Sequence, residues 1–119
     1  MSNDSRRQKQ LGHEIQQQLA RLFIKENLSI VNGVLVTITE VRVTPDLLIA
    51  KIYLSFLNAS NPSEILTYFN HRRPEIRHWL GNKMKNLRRI PNLEFFNDTS
   101  TDKAYKLENL LQQLTKANK

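Results

Sequence analysis

The sequence predicts a small α+β domain, with helices on one face of a three-stranded mixed sheet. Two observations point to it. Residues Val34 to Val43 and Leu48 to Phe56 alternate apolar with polar side chains and are joined by Thr44-Pro45-Asp46, whereas the segments on either side carry apolar residues at helical spacing. Pro74 then divides a long helical pattern that leads to one more short strand. The expected order is α-β-β-α-kink-α-β, followed by a short C-terminal helix. With 119 residues, 39% of them hydrophobic and 24% charged, the chain suits one globular domain, with its core at about 5–98 and a C-terminal helical segment at about 102–115.

The first helix is expected from about Arg6 to Glu26. Ser5 followed by Gln8 has the spacing of a capping box, and Leu11, Ile15, Leu19, Leu22 and Phe23 form one apolar stripe. In the first strand, Val34, Val36 and Ile38 give way to Val41 and Val43. This one-residue change of phase predicts a bulge near Glu40. The second strand sets Leu48, Ala50, Ile52, Leu54 and Phe56 on one face and Lys51, Tyr53 and Ser55 on the other. Between the strands, Pro45 presets φ and Asp46 bonds its own backbone. Asn61, Pro62 and Glu64 mark another helix start. Its stripe of Ile65, Leu66 and Phe69 resumes beyond Pro74 as Ile76, Leu80, Met84 and Leu87. A short strand from Leu93 to Phe96 follows, and Tyr105, Leu107, Leu110, Leu111 and Leu114 give the final helix its apolar face.

Charge narrows the function. Eighteen Lys and Arg against eleven Asp and Glu give a net +7, which favours a polyanionic partner. Most of it is concentrated between Asn70 and Leu93, where seven cations (Arg72, Arg73, Arg77, Lys83, Lys85, Arg88, Arg89) face one acid, Glu75. Two arginines beside a helix start, where backbone N–H groups lack partners, make a plausible phosphate cradle around the kink at Pro74. Arg77, His78, Gly81, Asn82 and Lys85 fall opposite the apolar stripe. Arg6, Arg7 and Lys9 occupy the first turn of the first helix, where the dipole disfavours cations, so an outside partner or a solvated end would explain them.

Other chemistries find little support. There is no cysteine, so no disulfide, thiolate nucleophile or cysteine-ligated zinc. The longest apolar run, Leu47 to Ala50, is far too short to span a membrane, and the polar N-terminus does not resemble a signal peptide. His71 and His78 are seven apart, but Pro74 interrupts the helix that would align them as metal ligands. No catalytic residue, metal or cofactor is expected. Trp79 borders the apolar arc and is expected to pack there, while Tyr53 is a modest candidate for contact.

Leu87-Arg88-Arg89-Ile90-Pro91-Asn92-Leu93-Glu94-Phe95-Phe96-Asn97-Asp98 resembles the signature of the bacterial ribosome-binding factor A family, in which a basic pair, a proline and a short apolar strand end in an acid. The segments Val36 to Leu47, Ala50 to Ser55, Ile76 to Gly81 and Lys106 to Leu111 are similar to that family in the same order. The resemblance implies a type II KH-like fold and a non-enzymatic assembly factor. Such a factor binds the immature small (30S) ribosomal subunit and 16S rRNA, supports late rRNA processing and subunit maturation, and is associated with growth in the cold. Where the family has an Ala-x-Gly kink, this chain has Arg72-Arg73-Pro74.

The expected RNA contacts are Arg72, Arg73, Arg77, Lys85, Arg88 and Arg89, with weaker ones at Arg6, Arg7, Lys9 and Lys51. A cytoplasmic monomer with ribosomal proteins as further partners is expected. A generic single-strand RNA-binding chaperone is the alternative, but it needs exposed aromatic platforms, and most Phe and Tyr here fall on apolar faces. A protein-interaction adaptor using the last helix would instead bind without regard to salt.

Overall fold

Ser5 and Gln8 open the first helix by capping one another. The Ser5 hydroxyl accepts from the Gln8 backbone N–H at 3.2 Å, and the Gln8 side-chain oxygen accepts from the Ser5 N–H at 2.8 Å, so two donors left free by the helix start are satisfied. The buried Gln8 amide also donates to the Val43 carbonyl at 2.9 Å, tying the helix start to the end of a distant strand. Replacing Gln8 by Ala is therefore expected to lower stability by about 1–2 kcal/mol, measured as a lower urea midpoint at unchanged slope.

The computed structural model describes residues 5–98; the expected helix at about 102–115 lies outside them. The elements are α1 (Arg6–Lys25), β1 (Ile30–Val31), β2 (Val34–Val43), β3 (Ile49–Leu57), α2 (Pro62–His71), α3 (Arg73–Lys83) and β4 (Asn92–Asn97). The sheet runs β1-β2-β3-β4, antiparallel except for β4, which is parallel to β3. The mixed sheet thus has the three expected strands plus the two-residue β1. Asn32 and Gly33, both at positive φ, join β1 to β2 in the kind of two-residue turn that matches the twist of a hairpin.

The bulge falls where the phase change placed it. Ile38 pairs with Leu54 and Glu40 with Tyr53, so Thr39 is the extra residue, and its hydroxyl donates to the Tyr53 carbonyl at 3.2 Å. Val36 before the bulge and Val43 after it are both buried. Across the sheet, Ala50, Ile52, Leu54, Leu93 and Phe95 are buried under the helices. Alternation sends Lys51, Tyr53, Glu94 and Phe96 to the opposite face.

Helix α1 packs on β2, α2 on β4, and α3 against α1 and β4. Phe69 of α2 joins the layers, with its ring 5.2 Å from Phe23 and 5.6 Å from Phe95 between centroids. Gly12 lets α1 lie close on β2: a Cβ there would stand 2.9 Å from the Val41 carbonyl oxygen. From α2, the Asn70 side chain reaches β4, donating to the Phe95 carbonyl at 3.2 Å and accepting from the Phe95 N–H at 3.1 Å.

The kink is a clean break. Helix α2 ends at His71, α3 starts at Arg73, and Arg72 caps both with φ −96° and ψ 11°. Pro74 sits in the first turn of α3, where its missing N–H removes no helical hydrogen bond. At its other end, α3 stops at Lys83, earlier than the apolar stripe suggests. Met84 is buried at the C-cap, so the chain turns there toward β4, and Lys85 lies beyond the helix. Gly81 and Asn82 in the last turn are poor helix formers.

Candidate nucleic-acid interface

The connection from α3 to β4 presents Lys85, Arg88 and Arg89 exposed, and the protein anchors that loop along its length. Met84 and Pro91 are buried at its ends, and Leu87 and Ile90 pack on the core. Arg77 supplies the polar fastening. Its Nη2 donates to the Ile90 carbonyl at 2.7 Å and its Nε to the Pro91 carbonyl at 3.2 Å. These charge-assisted bonds hold carbonyls of the loop just before β4. An Arg77→Ala variant should therefore melt several degrees lower, a loss of about 1–2 kcal/mol. Arg77→Lys should rescue little of it, because Lys lacks the planar fork. Differential scanning calorimetry checks both.

Arg88 and Arg89 border two clefts. One, of about 490 Å³, lies against the outer face of α3, with Pro74, His78, Gly81 and Asn82 along its wall. Gly81 is not demanded by packing there, since an added Cβ would meet Ile90 at 3.6 Å, an ordinary contact. The other cleft, of about 430 Å³, brings the same two arginines together with Arg7 at the start of α1 and with the turn between β2 and β3. In that turn Asp46 Oδ1 accepts from the Thr44 hydroxyl at 2.6 Å and the Leu48 N–H at 3.0 Å. These two bonds, the hydroxyl first, hold the Asp46 carboxyl below its ordinary pKa. Arg6 and Lys9 are also exposed in the first turn of α1, which has no acidic residue to offset the dipole.

At the kink the two arginines differ. Arg72 donates to the Tyr68 hydroxyl and to Glu75, and its guanidinium carbon lies 5.3 Å from the Tyr68 ring centre and 5.6 Å from that of Trp79. The bond to Glu75 comes first among the causes that raise its pKa, so its charge is fixed while its fork is engaged within the protein. Arg73 is exposed. Only its Nε has a partner among the described residues, the Asn70 carbonyl at 3.0 Å, so both terminal nitrogens face outward without one. Arg73 borders a third cleft, of about 440 Å³, beside Pro74 and the start of β4.

The sheet separates the remaining candidates from this group. Lys51 pairs in register with Arg42 and Glu94 on the face away from the helices, where Tyr53 stacks on Phe96 at 5.4 Å. Trp79 packs on the core and beneath Arg72. Among the described residues, no three His, Cys, Asp or Glu side chains are grouped as a metal site would require. Two roles were missed in the sequence. Glu75 stands three residues from Arg72, a helical ion-pair spacing that was available as a signal. The backbone partners of Arg77 left none.

Apart from β1, the order α-β-β-α-α-β on a mixed sheet, with helices on one face, defines a type II KH-like domain. Comparison with known proteins gives the family. The profile described as Ribosome-binding factor A matches residues 7–111. Ribosome-binding factor A of Cytophaga hutchinsonii is 33% identical over 113 residues, covering 94% of this chain and 85% of that protein. The solution structure of a putative ribosome-binding factor A from Thermotoga maritima superposes with a TM-score of 0.66 at 25% identity, covering 84% of this chain and 94% of that one. A Thermus thermophilus ribosome-binding factor A, fitted as a homology model into a cryo-EM map of its 30S complex, shares the fold with a TM-score of 0.56 at 20% identity, over 73% of this chain and 94% of that one. The protein belongs to the ribosome-binding factor A family. Among the described residues, no helix is long and apolar enough to cross a membrane.

Proposed function

We propose that the protein binds the immature 30S subunit through 16S rRNA and supports late rRNA processing and subunit maturation, without chemistry of its own. The observation that carries this reading is the exposed Arg88-Arg89 pair, held on a loop fastened by Arg77 and Pro91 and bordering two clefts. Arg73, Lys85, Arg88, Arg89 and Arg7 then neutralise phosphates directly. Arg6 and Lys9 extend the surface at the start of α1. Arg72 and Arg77 shape the kink and the loop, with their charges adding to the field. Lys51, on the far face of the sheet, would meet a different neighbour, such as a ribosomal protein. The protein works as a cytoplasmic monomer, in a role that matters most in the cold, where misfolded rRNA escapes slowly.

Co-sedimentation tests the reading. The protein should travel with free small subunits in preference to mature ribosomes or naked rRNA. Equal binding to any single-stranded RNA would favour the chaperone alternative instead. The exposed aromatics offer that alternative little, because Tyr68 holds Arg72 and Phe96 stacks on Tyr53.

A further inference from the structure

The cleft between α1 and the turn of β2 and β3 differs in chemistry from the one beside α3. The α3 cleft has no acid in its lining. The α1 cleft joins Arg7, Arg88 and Arg89 to two carboxylates, Glu14 and Asp46. Opposite charges sharing a small space commonly pair. Here none of the five does: the ion pairs among the described residues are Arg42–Glu40 and Arg72–Glu75. A surface meant for phosphate alone would exclude carboxylates, since they repel it.

Leu47 and Leu48 give the cleft an apolar part of its lining, built with some strain. Leu48 is 38% exposed there. Its neighbour Leu47 adopts φ +62°, a conformation that leucine rarely takes. The hydrogen bonds of Asp46 with Thr44 and Leu48 hold that turn and fix the carboxylate. They engage Oδ1, and Oδ2 has no partner among the described residues. The volume of about 430 Å³ is that of a small-ligand site.

We propose that this cleft takes one unpaired guanine nucleotide of the bound RNA. Its phosphates lie on Arg7, Arg88 and Arg89, its base covers Leu47 and Leu48, and its Watson–Crick edge donates to Glu14 and Asp46. The choice of base follows from the acceptors. An ionised carboxylate only accepts, and guanine alone offers two adjacent donors on that edge, N1–H and the N2 amino group. Adenine and cytosine present one amino group beside an acceptor, and uracil one imide N–H between two carbonyls. Reading an unpaired base by its Watson–Crick edge is also how proteins commonly gain sequence information from RNA. The inference rests on the RNA-binding reading above and adds base selectivity to it.

The test uses the full chain and four fluorescently labelled RNA hairpins, identical except for one unpaired loop base, titrated by anisotropy at several salt concentrations. The G hairpin should bind about tenfold more tightly than the A, C and U hairpins. Asp46→Asn, which retains an Oδ1 acceptor for the turn, combined with Glu14→Gln should erase that preference. The melting temperature and the salt slope should stay close to those of the parent. Equal affinity for all four hairpins with a steep salt slope would overturn the guanine site and leave the phosphate surface standing. Equal affinity with a flat slope would overturn both. GMP competing as effectively as the G hairpin would give the cleft to a free nucleotide rather than to RNA.

Discussion

Replacing Arg88 and Arg89 together by alanine should weaken binding to free 30S subunits about a hundredfold at low salt, since each loses a charge-assisted contact. The parent protein, neutralising about five phosphates, should show a slope of log K against log salt near −3.5 to −4.5, and the double variant a slope shallower by roughly 2. Both arginines are exposed, and neither makes an ion pair among the described residues, so their removal should hardly change stability. The loss should be similar for RNAs of different sequence, because phosphates carry no sequence information. A salt titration by filter binding or sedimentation reads all of this. An unchanged slope would show that the loop does not face RNA.

Phe69→Ala should cost about 3–5 kcal/mol, a large share of the stability a domain of this size commands. The ring is fully buried and touches aromatic partners from two other elements, Phe23 of α1 and Phe95 of β4. Removing it leaves a cavity where α1, α2 and β4 meet, and rigid neighbours cannot collapse to fill it. Urea denaturation followed by circular dichroism should show a much lower midpoint or no cooperative transition. A midpoint within about 1 kcal/mol of the parent would place the centre of the core elsewhere.

Much of the fold was legible because its signals are local. The Ser5–Gln8 cap, the phase change near Glu40, the Asn61-Pro62 helix start and the break at Pro74 each follow from a few neighbouring side chains. The β1 hairpin was missed, although Asn32-Gly33 is a strong turn pair, because a two-residue strand is too short to show alternation. Site residues were harder to assign. Charge clustering identified the arginines and could not say which would be free. Arg77 is held by carbonyls at Ile90 and Pro91, and every residue has a carbonyl, so no pattern of residue types announces that bond. Likewise, Arg7 shares a cleft with Arg88 because α1 packs on β2, with Gln8 bonded to Val43, a contact between segments far apart in the chain.

The Asn70 side chain has a further consequence. Strand β4 lies at the border of the sheet, and its outward backbone groups would suit an extended segment from another molecule. The Asn70 amide already occupies the middle of that border, meeting the Phe95 N–H and carbonyl much as a neighbouring strand would. At the opposite border β1 offers only two residues. The sheet is thus stoppered at its β4 border, which discourages the edge-on stacking that turns soluble chains into fibrils.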